Sequence, residues 1–193
     1  MDRALTLWFN AIAEHLSFWL PLFSEQFVYL IFGIGALWIA IHQLGRIKAM
    51  AIDFAFTMAL PIVLSGLICE VISKIVNRDR PFVANPDIKL LIDHGADPSF
   101  PSSHMSVMTA IAVALWFRNR NLGIITFTLA TISGLARIGA GIHYPTDIFF
   151  GGALGALIAV LVHRLTKELR LRDRKSTRLN SSHTDISRMP SSA

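Results

Sequence analysis

Five apolar stretches, at about 20–41, 49–72, 103–117, 122–136 and 148–165, leave this 193-residue chain little choice of solvent. Inside a bilayer every backbone N–H and C=O needs a partner within the protein, and helices satisfy that demand segment by segment. Crossing takes about 20 residues, with a range of roughly 17–25, so the pattern predicts an all-α polytopic membrane bundle of about five transmembrane helices. The third and fourth stretches are short, which is tolerable where their outer ends sink into a polar pocket instead of lipid. Hydrophobic residues make up 53% of the chain and charged ones 16%, against about a quarter charged in soluble domains. The single cysteine, Cys69, lies inside an apolar run, which excludes a disulfide framework and points to packing.

Before the first stretch, residues 1–18 place Leu5, Trp8, Phe9, Ile12 and Leu16 at helical spacing, with Asp2, Arg3, Glu14 and His15 among the rest. That pattern predicts an amphipathic interfacial helix lying on the membrane surface. A signal sequence would need a small-residue cleavage site, and none is evident. From Lys175 the composition changes to KSTRLNSSHTDISRMPSSA, Ser-rich and without a periodic apolar face. We expect 1–174 to be one membrane-embedded domain and 175–193 to be a disordered tail resembling translated adapter or vector sequence. That tail holds three of the 18 basic and one of the 13 acidic residues, so the formal charge of +5 falls to +3 without it.

The basic residues sit at the ends of apolar segments and do not interleave with aromatics, which argues against nucleic acid as a partner and for a lipid bilayer. Arg46 and Lys48, Arg118 and Arg120, and the group Arg164, Lys167, Arg170, Arg172 and Arg174 fall on one side of a five-span protein. By the positive-inside rule that side is cytoplasmic, and the loops 73–102 and 137–147 share the outer side. Lys74, Arg78, Arg80, Lys89 and Arg137 break the rule there. An anionic substrate would explain them.

Three clusters occupy these outer loops: Arg80-Pro81 within NRDRPF, Pro101-Ser102-Ser103-His104, and Arg137 followed by His143 and Asp147. Arginine offers a permanently charged, planar fork of donors that matches phosphate. Ser102 and Ser103 are good helix caps, and a helix N-terminus presents free backbone N–H groups to an anion. His143 and Asp147 stand four residues apart, so a carboxylate near a helix start can hold the imidazole tautomer and leave the other ring nitrogen nucleophilic. Outside these clusters, His94 and Asp97 either line the entrance or belong to a solvated loop. Glu70 is a functional candidate by its depth or an interfacial residue, and Asp53 would pair with Lys48 or Arg46 or be solvated.

Together the clusters resemble the three signature motifs of the type-2 phosphatidic-acid-phosphatase superfamily, K-x6-RP, PSGH and SR-x5-H-x3-D, which also includes the vanadium haloperoxidases. The likeness covers roughly 60–165. Ala136 stands in the serine place of the third motif and Ser103 in the glycine place of the second, while Lys74 lies one residue closer to Arg80 than the family lysine. Six residues along a continuous helix would put Lys74 about 120° from the face of Arg80, which leaves Arg78 as a second candidate for that charge. The short chain, the amphipathic start, RPFV, HGADPSFPSSH and RIGAGIHYPTD are most similar to the bacitracin-resistance type of undecaprenyl-diphosphate phosphatase.

The resemblance implies hydrolysis of the terminal phosphate of a lipid (pyro)phosphate at the outer face of a bacterial plasma membrane. It implies His143 as nucleophile, Asp147 as its orienting carboxylate and His104 as acid and base. Arg80, Arg137, the backbone at Ser102 and Ser103, and with less support Lys74, would bind phosphate. No metal or other cofactor is expected, because the Asp and His residues lack a closed ligand set and arginines supply the positive charge. Phosphatidylglycerophosphate or phosphatidate phosphatases share these features. A haloperoxidase would be soluble, and a transporter or scaffold would not need both histidines.

Overall fold

The structure is a computed structural model that describes residues 1–42, 51–52 and 54–186. Its regular elements are all helical: α1 (Asp2–Glu14), α2 (Phe27–His42), α3 (Leu60–Val76), α4 (Pro81–Ala84), α5 (Ser103–Trp116), α6 (Arg120–Gly139) and α7 (Pro145–Ile186). Single wide turns of π-helix at Leu22–Gln26 and Ala55–Ala59 lead into α2 and α3. Among the described residues, four segments are long and apolar enough to cross a membrane: Leu22–His42, Leu60–Ala84, Arg120–Gly139 and Pro145–Leu169. The expected pattern of five spans departs at the third, since α5 has only 14 residues. At 1.5 Å per residue it is about 21 Å long, too short for the apolar thickness. Its position explains that length: α5 is the central helix, packed against α2, α3, α6 and α7, so protein instead of lipid surrounds most of it.

The core follows from that arrangement. Met105, Met108, Ile111 and Leu115 of α5 are buried with Ile31 and Ile39 of α2, Met58, and Ala130 of α6. By contrast α3 and α7 expose Val63, Leu67, Val71, Leu157 and Leu161, the composition of a lipid-facing surface. The tightest contact joins α5 to α7 through glycines spaced four apart. A Cβ on Gly151 would stand 2.5 Å from the Ser102 carbonyl oxygen, and one on Gly155 would stand 1.9 Å from that of Ser106. Small residues at this spacing let helix backbones approach closely.

α1 is amphipathic with an unexpected division of labour. Leu5, Trp8 and Ile12 face outward, while Thr6, Asn10 and Ala13 are buried against the protein. The Asn10 amide donates to the carbonyls of Lys89 (2.9 Å) and Gly139 (2.8 Å) and accepts from the Lys89 N–H (2.9 Å). The polar side therefore docks the helix and leaves the apolar side facing outward. Helix α7 continues to Ile186, so 175–186 are helical where composition predicts an irregular tail. Between Gly155 and Pro190 the sequence has no glycine or proline to stop it. Residues 187–193 lie outside the described residues, as do Arg46, Lys48 and Asp53 with their expected pairing.

The α5–α7 contact yields a test. Gly155→Ala forces backbone apart and is expected to destabilise by about 1–3 kcal/mol, the range for overpacking. Gly33→Ala meets nothing within 4 Å and is expected to be neutral or stabilising. Thermal unfolding in detergent distinguishes them; equal melting temperatures would remove the close contact from the account.

Candidate active site

The three clusters meet at one end of the bundle, and the backbone explains how. Asn77 caps α3 in the left-handed conformation (φ 46°), which asparagine tolerates better than most residues. The helix therefore ends before Arg78, and 77–80 run outside it. The helical-phase comparison of Lys74 with Arg80 consequently does not apply. On the third cluster, Gly141 at φ +80° makes the turn after α6; a Cβ there would stand 2.5 Å from the Lys89 carbonyl oxygen. Its own carbonyl accepts from the Phe82 N–H (3.2 Å), tying this turn to α4. The Ser102 N–H donates to the Asp147 carbonyl (3.1 Å), tying the second cluster to the third.

His143 is 4% exposed at the centre of this assembly. Its Nδ1 lies 2.9 Å from the Ser99 carbonyl oxygen and 3.7 Å from Asp147 Oδ2. A carbonyl only accepts, so Nδ1 carries the proton and Nε2 keeps its lone pair. The tautomer is thus set chiefly by a backbone carbonyl, where the four-residue spacing predicts Asp147. Nε2 faces Arg80 Nη1 at 3.4 Å. Burial, reinforced by the charges of Arg137, Arg80 and His94, holds the ring well below its usual 6.5, against an opposing pull from the Ser99 bond.

Asp147 is fully buried and accepts from the Tyr144 N–H (2.8 Å) and from Arg78 Nη1 (2.7 Å). Arg78 also donates to Thr146 Oγ1 (2.7 Å) and to Asp2 Oδ2 of α1 (3.0 Å), and its guanidinium lies 3.9 Å over the Tyr144 ring. So committed, Arg78 is a support of Asp147 and not a replacement for the family lysine. Thr146 donates to Asp2 as well.

Arg80 is 3% and Arg137 2% exposed. Arg80 donates to the Ile142 carbonyl (2.9 Å) and to Asp97 Oδ2 (2.7 Å); Arg137 donates to the Ser24 carbonyl (3.0 Å). Both keep a buried Nε–H without a partner. A buried charged donor left unsatisfied is costly, and an anionic ligand would relieve it. His104 is half-buried in the first turn of α5, with Arg137, His143, His94 and Arg80 as its electrostatic neighbours.

A cavity of about 620 Å³ opens here. Its apolar wall is Ile62, Val63 and Leu67 of α3; its polar wall includes Lys74, Arg80, Asp97, Ser103 and His143. Lys74 is exposed at this wall and pairs with Glu70 (2.7 Å), which accounts for Glu70 as well. Ser102 departs from its expected part. Its hydroxyl caps α5 by accepting from the Met105 N–H (3.4 Å), and its own N–H is committed to Asp147. That leaves Ser103 as the serine open to the cavity. Among the described residues no three His, Cys, Asp or Glu side chains are grouped so as to hold a metal ion.

The sequence gives no sign of three contributors: the Ser99 carbonyl, Thr146, and Asp2 reaching Arg78 across the fold. A backbone acceptor leaves no residue-type signal, and the other two contacts span 144 and 76 positions.

A titration tests the histidine geometry. With its pKa depressed, His143 stays neutral below pH 6.5, whereas an unfolded chain binds the proton there, so stability falls as pH drops through that window. Nitrogen-15 NMR of the protein in detergent is expected to show an Nδ1-protonated neutral ring with a midpoint below 6.5. A midpoint at or above 6.5, or protonation on Nε2, would overturn this assignment.

Comparison with known proteins places the geometry in context. Residues 51–171 match the PAP2 superfamily. The chain is 36% identical over 108 residues to the undecaprenyl-diphosphatase BcrC of Bacillus subtilis, covering 55% of each. It thus spans a little over half the length of that relative. The fold is similar to that of LpxE from Aquifex aeolicus, with TM-score 0.66, 25% identity, and coverage of 84% of this chain and 94% of the other. It is also similar to a transmembrane PAP2-type phosphatidylglycerolphosphate phosphatase from Bacillus subtilis (TM-score 0.65, 21% identity, coverage 86% and 85%). With four long apolar helices and these neighbours, it is a multi-pass membrane protein.

Proposed function

The chain belongs to the PAP2 superfamily, and from that premise we propose that it is a membrane lipid phosphatase acting on undecaprenyl diphosphate at the outer face of a bacterial plasma membrane. The observation that carries this reading is His143, whose Nδ1–H is held by the Ser99 carbonyl while its Nε2 lone pair faces Arg80 beside a cavity with an apolar wall.

In this mechanism Nε2 attacks the terminal phosphorus. An N–P bond forms, the bridging P–O bond breaks, and lipid monophosphate leaves with a proton from His104. Water then attacks the phosphohistidine and gives its proton to His104; the N–P bond breaks and orthophosphate departs. Arg80, Arg137 and the free N–H groups at Ser103 and His104 stabilise the phosphoryl oxygens, with Lys74 at the rim. Asp147 bears on the Nδ1 side and favours the charge that develops on the ring. The undecaprenyl assignment is supported by the similarity to BcrC. The likeness in fold to a phosphatidylglycerolphosphate phosphatase supports a second reading, and phosphate release from purified protein in detergent, comparing these lipids with phosphatidate, separates the two. Activity is expected to survive a strong chelator; loss to EDTA with rescue by a divalent ion would end the arginine-based account.

The two histidines are separable. His143→Ala is expected to give neither phosphoenzyme nor product with any substrate. His104→Ala is expected to lose about 10²–10⁴-fold with lipid substrates, yet still phosphorylate His143 from an aryl phosphate, whose leaving group needs little help. The phosphoenzyme then accumulates. Phosphohistidine trapped at His104, or equal loss on every leaving group, would refute the roles.

For orientation, a cysteine at Asp87 is expected to react with a membrane-impermeant thiol reagent in intact cells, and one at Asn121 is not. The native Cys69 is buried and gives little background. The reverse labelling pattern would place the site on the cytoplasmic side.

A further inference from the structure

We propose that Asp97 tunes phosphate binding and product release: its carboxylate occupies the Arg80 subsite in the resting enzyme, and phosphate binds by exchanging with it. The proposal rests on the lipid-phosphatase reading above and adds a resident competitor to it.

The two partners of this ion pair are held very differently. Arg80 is buried, and its guanidinium is held by the Ile142 carbonyl and by Nε2 of His143. The Asp97 side chain is 63% exposed; beyond the 2.7 Å contact with Arg80, its other oxygen stands 3.8 Å from His94 Nδ1. Both residues line the cavity that contains His143. One partner is therefore anchored and the other is free to turn toward water.

A carboxylate and a phosphoryl group are acceptors of the same kind for a guanidinium fork. Arg80 Nη2 is the donor that Asp97 takes, and a phosphate on His143 Nε2 would adjoin the same guanidinium. Two anions at such range repel, so Asp97 must turn out as the phosphoryl group enters. Every anion meets this competition, but ligands differ in what offsets it. A lipid phosphate also buries its chain against the apolar wall at Ile62, Val63 and Leu67. Free orthophosphate, the product of the reaction, has no such contact. Asp97 therefore weakens every phosphoryl anion at Arg80 by a similar factor; the apolar contact of a lipid offsets that loss, free orthophosphate has nothing to offset it, and product is cleared.

The test compares orthophosphate binding by calorimetry to the purified full chain in detergent, for wild type, Asp97→Asn, Asp97→Ala and Asp97→Glu. Removing the competing charge is expected to tighten orthophosphate about tenfold in the Asn and Ala variants, as it raises the fraction of protein competent to bind. The Glu variant is expected to stay near wild type, and KM for the lipid to fall in the Asn and Ala variants alongside the orthophosphate constant. Unchanged or weaker orthophosphate binding in the Asn and Ala variants would overturn the proposal. Weaker binding is what a residue serving only to steady Arg80 predicts, so the sign of the effect decides. The exposure of Asp97 keeps these changes outside the packed core. If no variant, nor the wild type, hydrolyses a lipid phosphate, the phosphatase reading fails, while the orthophosphate constants still decide the part played by Asp97.

Discussion

The site depends on the close approach of α5 to α7. Gly151 and Gly155 present no side chain to the Ser102 and Ser106 carbonyls, so the start of α5 settles against the first turns of α7. There the Ser102 N–H bonds the Asp147 carbonyl. Two clusters more than 30 positions apart become one structure through that contact. It also fixes the fate of α5. A 14-residue helix cannot cross a bilayer by length, but one enclosed by four others does not need to. Its N-terminus opens onto the cavity through Ser103.

Much of this was legible in sequence because membrane helices announce themselves by length and apolarity, and because arginine, histidine and Ser-rich caps at the ends of spans have few structural reasons to be there. Convergence of Arg80, Ser103, His143 and Asp147 followed from placing two loops on one side. What sequence could not supply was which atom meets which. The spacing of His143 and Asp147 suggested a direct pair, yet the nearer acceptor of Nδ1 is the Ser99 carbonyl. Ser102 was grouped with the phosphate donors, yet it caps α5 and links α7. The comparison of Lys74 with Arg80 assumed a continuous helix that Asn77 terminates.

Charge placement explains why the site is poised to take an anion. Arg80 and Arg137 are nearly inaccessible to water, and each retains an unpartnered Nε–H. Asp97 satisfies one donor of Arg80 from the loop side; burial opposes its ionisation, but the hydrogen bond and charge of Arg80 prevail and hold its carboxyl below the usual range. Isolated charges in such surroundings are expensive unless paired. The protein's own acceptors therefore compensate these two guanidinium groups only in part.

The amphipathic helix α1 completes this arrangement. Its apolar residues Leu5, Trp8 and Ile12 face outward, on a surface the rest of the protein does not use. Its polar side is equally committed, with Asn10 joining the end of α6 to the Lys89 loop and Asp2 accepting from Arg78. Exposed pairs such as Arg3 with Asp87 add little by comparison. Arg78 then reaches Asp147, which in turn lies against His143. The path from α1 to the His143 imidazole thus runs through Asp2, Arg78 and Asp147, by hydrogen bonds until Asp147 meets the ring at 3.7 Å. An amphipathic N-terminal helix is usually regarded as an anchor; here its first residues are part of what holds the buried carboxylate in place.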